Sequence, residues 1–192
     1  MSRNWQGGWH CPPPAHHVDA NGVLHATGGE KTDFWQTTHY GFQRDDDHAL
    51  FQPATGGFSA TLTFGGDYTA LYDQAGMLLR VCARNWIKFG IEHTDGALHL
   101  SVVAARDGLS DWSAQTIPFS DSVTVRATRL NDAMLLQWQP DGCGDWCMVR
   151  LAPAPQGGPL LVGPYLCSPE RAGFAAHFHR FDLTDAQVDA LH

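Results

Sequence analysis

No apolar run in this sequence approaches the roughly 20 residues that a membrane-spanning helix requires. Its first residues, MSRNWQGGWHCPPP, also lack the basic start and long apolar core of a secretory leader. These absences predict a cytoplasmic protein with no membrane partner. Basic residues are scarce: 12 Lys and Arg against 20 Asp and Glu leave a formal charge of −8. That balance repels phosphate backbones and excludes nucleic acid as a partner. Cysteines are few and irregular, with Cys11, Cys82, Cys143, Cys147 and Cys167 forming an odd set, so reduced thiols are expected rather than a disulfide framework. None of the Gly-Gly pairs at 28, 56, 65 and 157 opens a P-loop, which needs Gly-Lys-Ser/Thr and a following helix, and no Gly-x-Ser-x-Gly elbow occurs. No repeat supports a propeller or solenoid. No cofactor is expected.

What the sequence does contain is alternation. The stretch from Asp67 to Glu92, DYTALYDQAGMLLRVCARNWIKFGIE, holds two alternating runs around a short charged turn, the pattern of a β-hairpin. Strand side chains point alternately to opposite faces. Ala75, Met77, Leu79 and Val81 therefore share one face with a core set of Ile87, Phe89 and Ile91. Gln74, Gly76, Leu78 and Arg80 share the other with Trp86, Lys88, Gly90 and Glu92. That second face combines an indole, an amine, a carboxylate and an amide, with Tyr72 and Asp73 at its entrance, a mixture that a purely structural sheet does not need.

The rest of the chain repeats short strands between turn signals. Thr32 to Pro53 reads as a strand through Trp35 to Phe42, a solvated tip at Asp45 to Asp47, and a return strand through Ala49 to Gln52. Phe58 to Phe64 alternates cleanly. Asp-Gly at 95 and 96 turns the chain into a strand along Leu98 to Ala104, after which residues 106 to 113 read as a polar loop. Val123 to Ala127 pairs with Met134 to Trp138 across Asn131 and Asp132. Asp-Gly at 141 and 142 precedes a strand from Trp146 to Leu151. Leu160 to Cys167 and Phe174 to Leu183 form a final pair. Thr184 and Gln187 read as a capping box that opens a short helix through Val188 and Leu191.

Many short strands with almost no helical periodicity predict an all-β fold, a two-sheet antiparallel sandwich of the jelly-roll type. One domain over 1–192 is expected, with its core at about 20–183, an irregular arm at 1–19 and the helix at 184–192. Two metal sites come to mind and neither fits. His10, Cys11, His16 and His17 lack the spacing of a zinc module, and Asp45 to Asp47 lack the alternating carboxylates, Gly and distant Glu of a calcium loop. No metal is expected.

ThrAspPheTrp and ThrHisTyrGlyPhe (32 to 42), TyrAspGlnAlaGlyMet (72 to 77) and AsnTrpIleLysPheGlyIleGlu (85 to 92), followed by SerAspTrpSer (110 to 113) and CysSerPro (167 to 169), carry a resemblance. In order and over nearly the whole chain they resemble the microbial family of "regulation of enolase" proteins, which is similar in fold to the concanavalin A-like lectins and glucanases. The resemblance implies a jelly roll with two curved sheets and, from the wider superfamily, a concave sheet that binds carbohydrate. It implies as ligand-binding candidates Trp35, Tyr40, Tyr72, Gln74, Trp86, Lys88, Arg106, Asp111, Trp112 and Ser168. Aromatic faces stack on sugar C–H groups while planar polar groups bond vicinal hydroxyls.

Cleavage is the alternative reading, by a glycoside hydrolase or lyase with Glu92, Asp73 and His39 as acid-base groups. Glycosidases need two flanking carboxyls, and Glu92 with Asp73 or Asp111 is the available pairing. The Glu-x-Asp-x-Glu motif of the glucanases is missing. Lys88 and Glu92 could instead neutralise each other as an ion pair. The expected partner is thus a small sugar or oligosaccharide, with a homodimer through an exposed sheet edge and a metabolic-enzyme partner as further expectations.

Overall fold

Alternating apolar residues drive strands to share a buried face, and here they build two stacked seven-stranded antiparallel sheets. The computed structural model describes residues 5–118, 120–140 and 144–187. Its strands are β1 (Gly8–His10), β2 (Ala15–Val18), β3 (Leu24–Thr27), β4 (Phe34–Gln36), β5 (Gln43–Asp45), β6 (His48–Ala54), β7 (Phe58–Gly66) and β8 (Gln74–Cys82). They continue as β9 (Asn85–Thr94), β10 (Ala97–Arg106), β11 (Leu109–Thr116), β12 (Val123–Leu130), β13 (Ala133–Gln139), β14 (Cys147–Pro153), β15 (Leu160–Cys167) and β16 (Ala175–Asp185). The first sheet runs β1-β6-β15-β8-β9-β10-β11, the second β14-β13-β12-β7-β16-β3-β2, and β4 with β5 forms a small third ladder. The jelly-roll class expected from the sequence is the fold observed.

The hairpin at the centre has the predicted faces. Ala75, Met77 and Leu79 of β8 and Ile87, Phe89 and Ile91 of β9 enter the core between the sheets, against Leu62, Phe64 and Val125 of the second sheet. The opposite face of the first sheet carries a second apolar cluster. There Leu78, Trp86, Val103 and Tyr165 pack under Phe34 and Trp35. The small β4–β5 ladder therefore lies on the outer face of the first sheet as a partial cover.

Four local expectations are corrected. The irregular arm expected at 1–19 is, within its described residues, drawn into both sheets, because β1 pairs with β6 and β2 with β3. The strand expected through Trp35 to Phe42 ends at Gln36, where left-handed backbone at Thr37 and His39 reverses the chain. Its partner is β5, while β6 pairs with β1 and β15. The final pair belongs to different sheets: β15 lies between β6 and β8, and β16 between β7 and β3. Thr184 and Asp185, where the helix was expected to start, are still strand and pair with Ser59 and Phe58. Val188 to Leu191 lie outside the described residues, as do the Asp141–Gly142 turn and Cys143. Cys11, Cys82, Cys147 and Cys167 carry free thiols.

The aspartate triplet is not a solvated tip either. Asp45 accepts both terminal nitrogens of Arg80, at 2.5 and 2.8 Å. Asp46 accepts the Asp33 amide. Asp47 is fully buried and accepts the Cys167 thiol. Burial, foremost, and then the neighbouring Asp33 push the Asp47 carboxyl well above the usual range. The triplet clamps β5 and the β6 entrance to the sheet beneath.

Candidate functional site

On the outer face of the first sheet the register places side chains in rows. Gln74 of β8 stands opposite Glu92 of β9, and Gly76 opposite Gly90. Ser101 of β10 flanks Gly90 and Val103 flanks Lys88. A Cβ at Gly76 or Gly90 would meet the facing backbone at 2.3 or 2.2 Å, so only glycine allows this close approach. The missing side chains leave a bare floor between Lys88 and Glu92. Above it lies a cleft of about 300 Å³. Its floor presents Gln74, Lys88, Glu92 and Val103, one wall is Asp33, Trp35, Tyr40 and Phe42, and the rim is completed by Tyr72, Trp112, Pro169 and Glu170.

Each floor group is held by neighbours. Glu92 Oε2 accepts the Ser101 hydroxyl at 2.6 Å and the Trp112 indole N–H at 3.2 Å. The indole N–H also reaches Ser101 Oγ at 3.1 Å, so the carboxylate fixes the ring that stands beside it. Burial, only partly offset by Lys88 and the Ser101 hydrogen bond, raises the Glu92 carboxyl above its ordinary value. Lys88 does not pair with Glu92. Its Nζ donates to Asp33 Oδ1 at 2.7 Å, and both members are largely buried. Gln74 is 4% exposed, and its Oε1 has no hydrogen-bond partner among the described residues. A buried acceptor left unmatched costs free energy until something donates to it.

The rings are arranged on two sides. Trp35 meets Tyr40 edge-on at 5.5 Å, and Tyr40 stacks on Phe42 at 5.6 Å. Across the cleft Tyr72 meets Trp112 edge-on at 6.5 Å. Burial, and then the neighbouring Tyr40 phenol, raise the Tyr72 hydroxyl above its ordinary value. Tyr40, Phe42 and Trp112 are among the exposed large apolar side chains of the molecule. Exposed apolar surface gathered around a polar floor is the pattern that ligand-binding clefts share.

Seven of the residues singled out from the sequence thus meet here: Trp35, Tyr40, Tyr72, Gln74, Lys88, Glu92 and Trp112. The others stand elsewhere. Trp86 is completely buried, donates to the Ala83 carbonyl and packs beneath Phe34. Asp73 is also buried and is engaged by Arg171, whose Nε and Nη2 donate to it at 3.0 and 2.8 Å, and by the Thr69 and Ala70 amides. Asp111 projects from the sheet edge and lies 3.7 Å from Arg150. Neither aspartate can face Glu92 across a substrate. His39 is exposed in the loop after β4 and is not part of the cleft lining. Arg106 lines a separate cleft of about 420 Å³ with Asn85 and Gln156.

Ser168 is buried, bonds Thr32 and the Arg171 carbonyl, and so positions the turn that brings Pro169 and Glu170 to the rim. The sequence reading missed Asp33, Phe42, Val103, Pro169 and Glu170. Asp33 shares its strand parity with Trp35, a signal that could have found it. Asp33, Asp47 and Cys167 bring ligand atoms within 4.8 Å of one another, but the Lys88 ammonium already occupies the Asp33 side of that group.

The raised Glu92 carboxyl has a consequence for stability. A buried acid whose folded value lies above its unfolded one is stabilising when protonated, and that stability is lost as pH rises from about 4.3 through the folded value. Glu92→Gln removes this loss while keeping an acceptor for Ser101 and Trp112. Thermal melts across pH should show the variant gaining on the wild type as pH rises. A gap that stays constant across the range would show that Glu92 is not strained by burial.

Residues 9–186 match the profile of the family described as protein of unknown function (DUF1349). The chain is 39% identical over 190 residues to regulation of enolase protein 1 of Saccharomyces cerevisiae, covering 97% of this chain and 93% of that protein. It superposes with a TM-score of 0.89 and 37% identity on the crystal structure of a functionally unknown protein from Saccharomyces cerevisiae, over 95% of this chain and 98% of that one. The fold also recurs in xylan β-1,4-xylosidase from Bacillus halodurans, with a TM-score of 0.66 at 13% identity. There the match spans 94% of this chain but 39% of the xylosidase.

Proposed function

The chain belongs to the DUF1349 family, and from that premise we propose that its outer-sheet cleft binds a carbohydrate or carbohydrate-like small molecule. The observation that carries this reading is the pairing of an unmatched, buried Gln74 acceptor with exposed rings on both sides of a polar floor. A pyranose offers what such a cleft lacks: hydroxyl donors for the floor and C–H faces for Trp112, Tyr72 and Tyr40. The fold shared with a xylosidase is consistent with a sugar ligand, although this chain spans only 39% of that enzyme, and likeness of fold does not transfer activity.

Binding is favoured over cleavage by the carboxylates. Asp73 is held by Arg171 and Asp111 lies beside Arg150 at the edge. The acidic neighbours of Glu92 in the cleft are Asp33 on the wall, which Lys88 holds, and Glu170 on the rim, so no second carboxylate stands beside it on the floor among the described residues. A thermal-shift screen of mono- and oligosaccharides tests the proposal. A ligand at a hundred times its dissociation constant adds about 2.7 kcal/mol of stability. Trp112→Ala should fold normally, because the ring is 39% exposed, yet weaken any hit by roughly tenfold or more, as expected for an aromatic anchor. Unchanged affinity in that variant would remove the ring from the site.

A second reading follows from the relative's name. A protein 39% identical and called regulation of enolase protein 1 favours a metabolic-enzyme partner, with the ligand cleft as the sensing element of that interaction. Co-purification of enolase activity with the tagged protein, altered by a cleft ligand, would support it. A preparation free of enolase under all ligand conditions would oppose it.

A further inference from the structure

The polar groups around the cleft differ in what they leave uncommitted. Three carboxylates, Asp33, Glu92 and Glu170, line it against one ammonium, Lys88. That ammonium is turned to Asp33 at 2.7 Å, and the Trp112 indole N–H is committed to Glu92 and Ser101. The Lys88 ammonium and the Trp112 indole N–H are therefore spoken for within the protein. What remains open is an acceptor: Gln74 Oε1, on a side chain 4% exposed and facing the cleft, has no partner among the described residues.

Glu92 stands opposite Gln74 in the register, so the open amide oxygen and the carboxylate belong to one corner of the floor. Tyr72 and Trp112 meet edge-on beside that corner. Converging acceptors next to aromatic faces suit a cation, which gains from the ring quadrupole as well as from the carboxylate. The overall charge of −8 works in the same direction and disfavours anions.

We propose that the ligand of this cleft carries a protonated amine, as an amino sugar does, with the ammonium seated between Glu92, Gln74 Oε1 and the rings of Tyr72 and Trp112. This rests on the reading of the cleft as a carbohydrate site and narrows it. Uronic acids are excluded by the same carboxylates that attract the amine. Neutral sugars bind through the rings and give Gln74 and Glu92 hydroxyl partners, without the charge attraction that an ammonium adds.

Titration calorimetry separates the two levels of the claim. The probes are the trisaccharide of glucosamine, the same trisaccharide fully N-acetylated, the neutral cellotriose and a trimer of galacturonate, all at neutral pH and low salt. The amine trimer should bind at least tenfold more tightly than the other three. Added salt should shrink that preference, and Glu92→Gln should abolish it while leaving the protein folded. If the acetylated, neutral or anionic trimer binds as well as the amine, the amine assignment falls and the carbohydrate reading stands. If Glu92→Gln keeps the full preference, the proposed seat is wrong. If no trimer of any charge binds, both the assignment and the reading beneath it fall.

Discussion

Trp86→Ala is expected to destabilise the protein by about 3–5 kcal/mol, the range for removing a fully buried large aromatic. For a chain of 192 residues that corresponds to a fall in Tm of roughly 6–20 °C. The ring is completely buried. It tilts against Phe34 at 5.9 Å and shares a cluster with Leu78, Val103 and Tyr165. Its loss opens a cavity under the β4–β5 cover. Trp86→Phe, which leaves most of the volume filled, should recover most of the stability. Denaturant unfolding followed by circular dichroism measures both. A Trp86→Ala protein as stable as the wild type but deaf to ligand would return the ring to the binding surface and overturn the division between the two tryptophans.

The second large effect is expected at Asp73. Asp73→Ala strips Arg171 of the nearer of its two carboxylate partners, leaving Asp67 at 3.3 Å, and leaves the Thr69 and Ala70 amides without their acceptor. Breaking a buried ion pair by removing one member costs about 3–5 kcal/mol. The Arg171 side chain is 27% exposed, so water relieves part of its loss and the lower end of that range is expected. The damage should spread to function indirectly. Asp73 closes the turn that presents Tyr72, and Arg171 anchors the turn that presents Glu170. Asp73→Asn keeps an acceptor for the amides and should fall between wild type and Asp73→Ala. Urea denaturation of the three proteins decides the matter, and equal midpoints would contradict a structural role for this carboxylate.

The reason for these two outcomes is also the reason the sequence was legible in parts. Alternation has a period of two residues, and it suffices to place Ala75, Met77, Leu79, Ile87, Phe89 and Ile91 in the core and Gln74, Lys88 and Glu92 on the opposite face. The pattern says which side chains share a face but not what covers that face. The cover over Trp86 comes from Phe34, and Asp33 reaches Lys88 across 55 residues. Asp73 met its partner across 98 residues. None of these contacts leaves a local trace.

Asp111 was misplaced for a different reason. The segment 106–113 contains Asp107–Gly108, both in left-handed backbone, and this pair turns β10 into β11. With that turn recognised, the parity of β11 puts Trp112 on the cleft side with Val103, its register partner, and Asp111 on the other. The triplet Asp45 to Asp47 read as solvent-facing because carboxylates are seldom buried without partners. Arg80, the Asp33 amide and the Cys167 thiol are those partners, and all three come from other segments of the chain.

Hydrogen exchange in the presence of a saturating saccharide tests most directly whether this one cleft is the ligand site. Bound ligand should slow exchange at the amides of residues 36–42, 70–74 and 110–113, which carry the rings and the Gln74 acceptor, while the opposite sheet is unchanged. Protection confined to the separate cleft around Arg106 and Gln156, or no protection at any amide when binding is saturated, would contradict it.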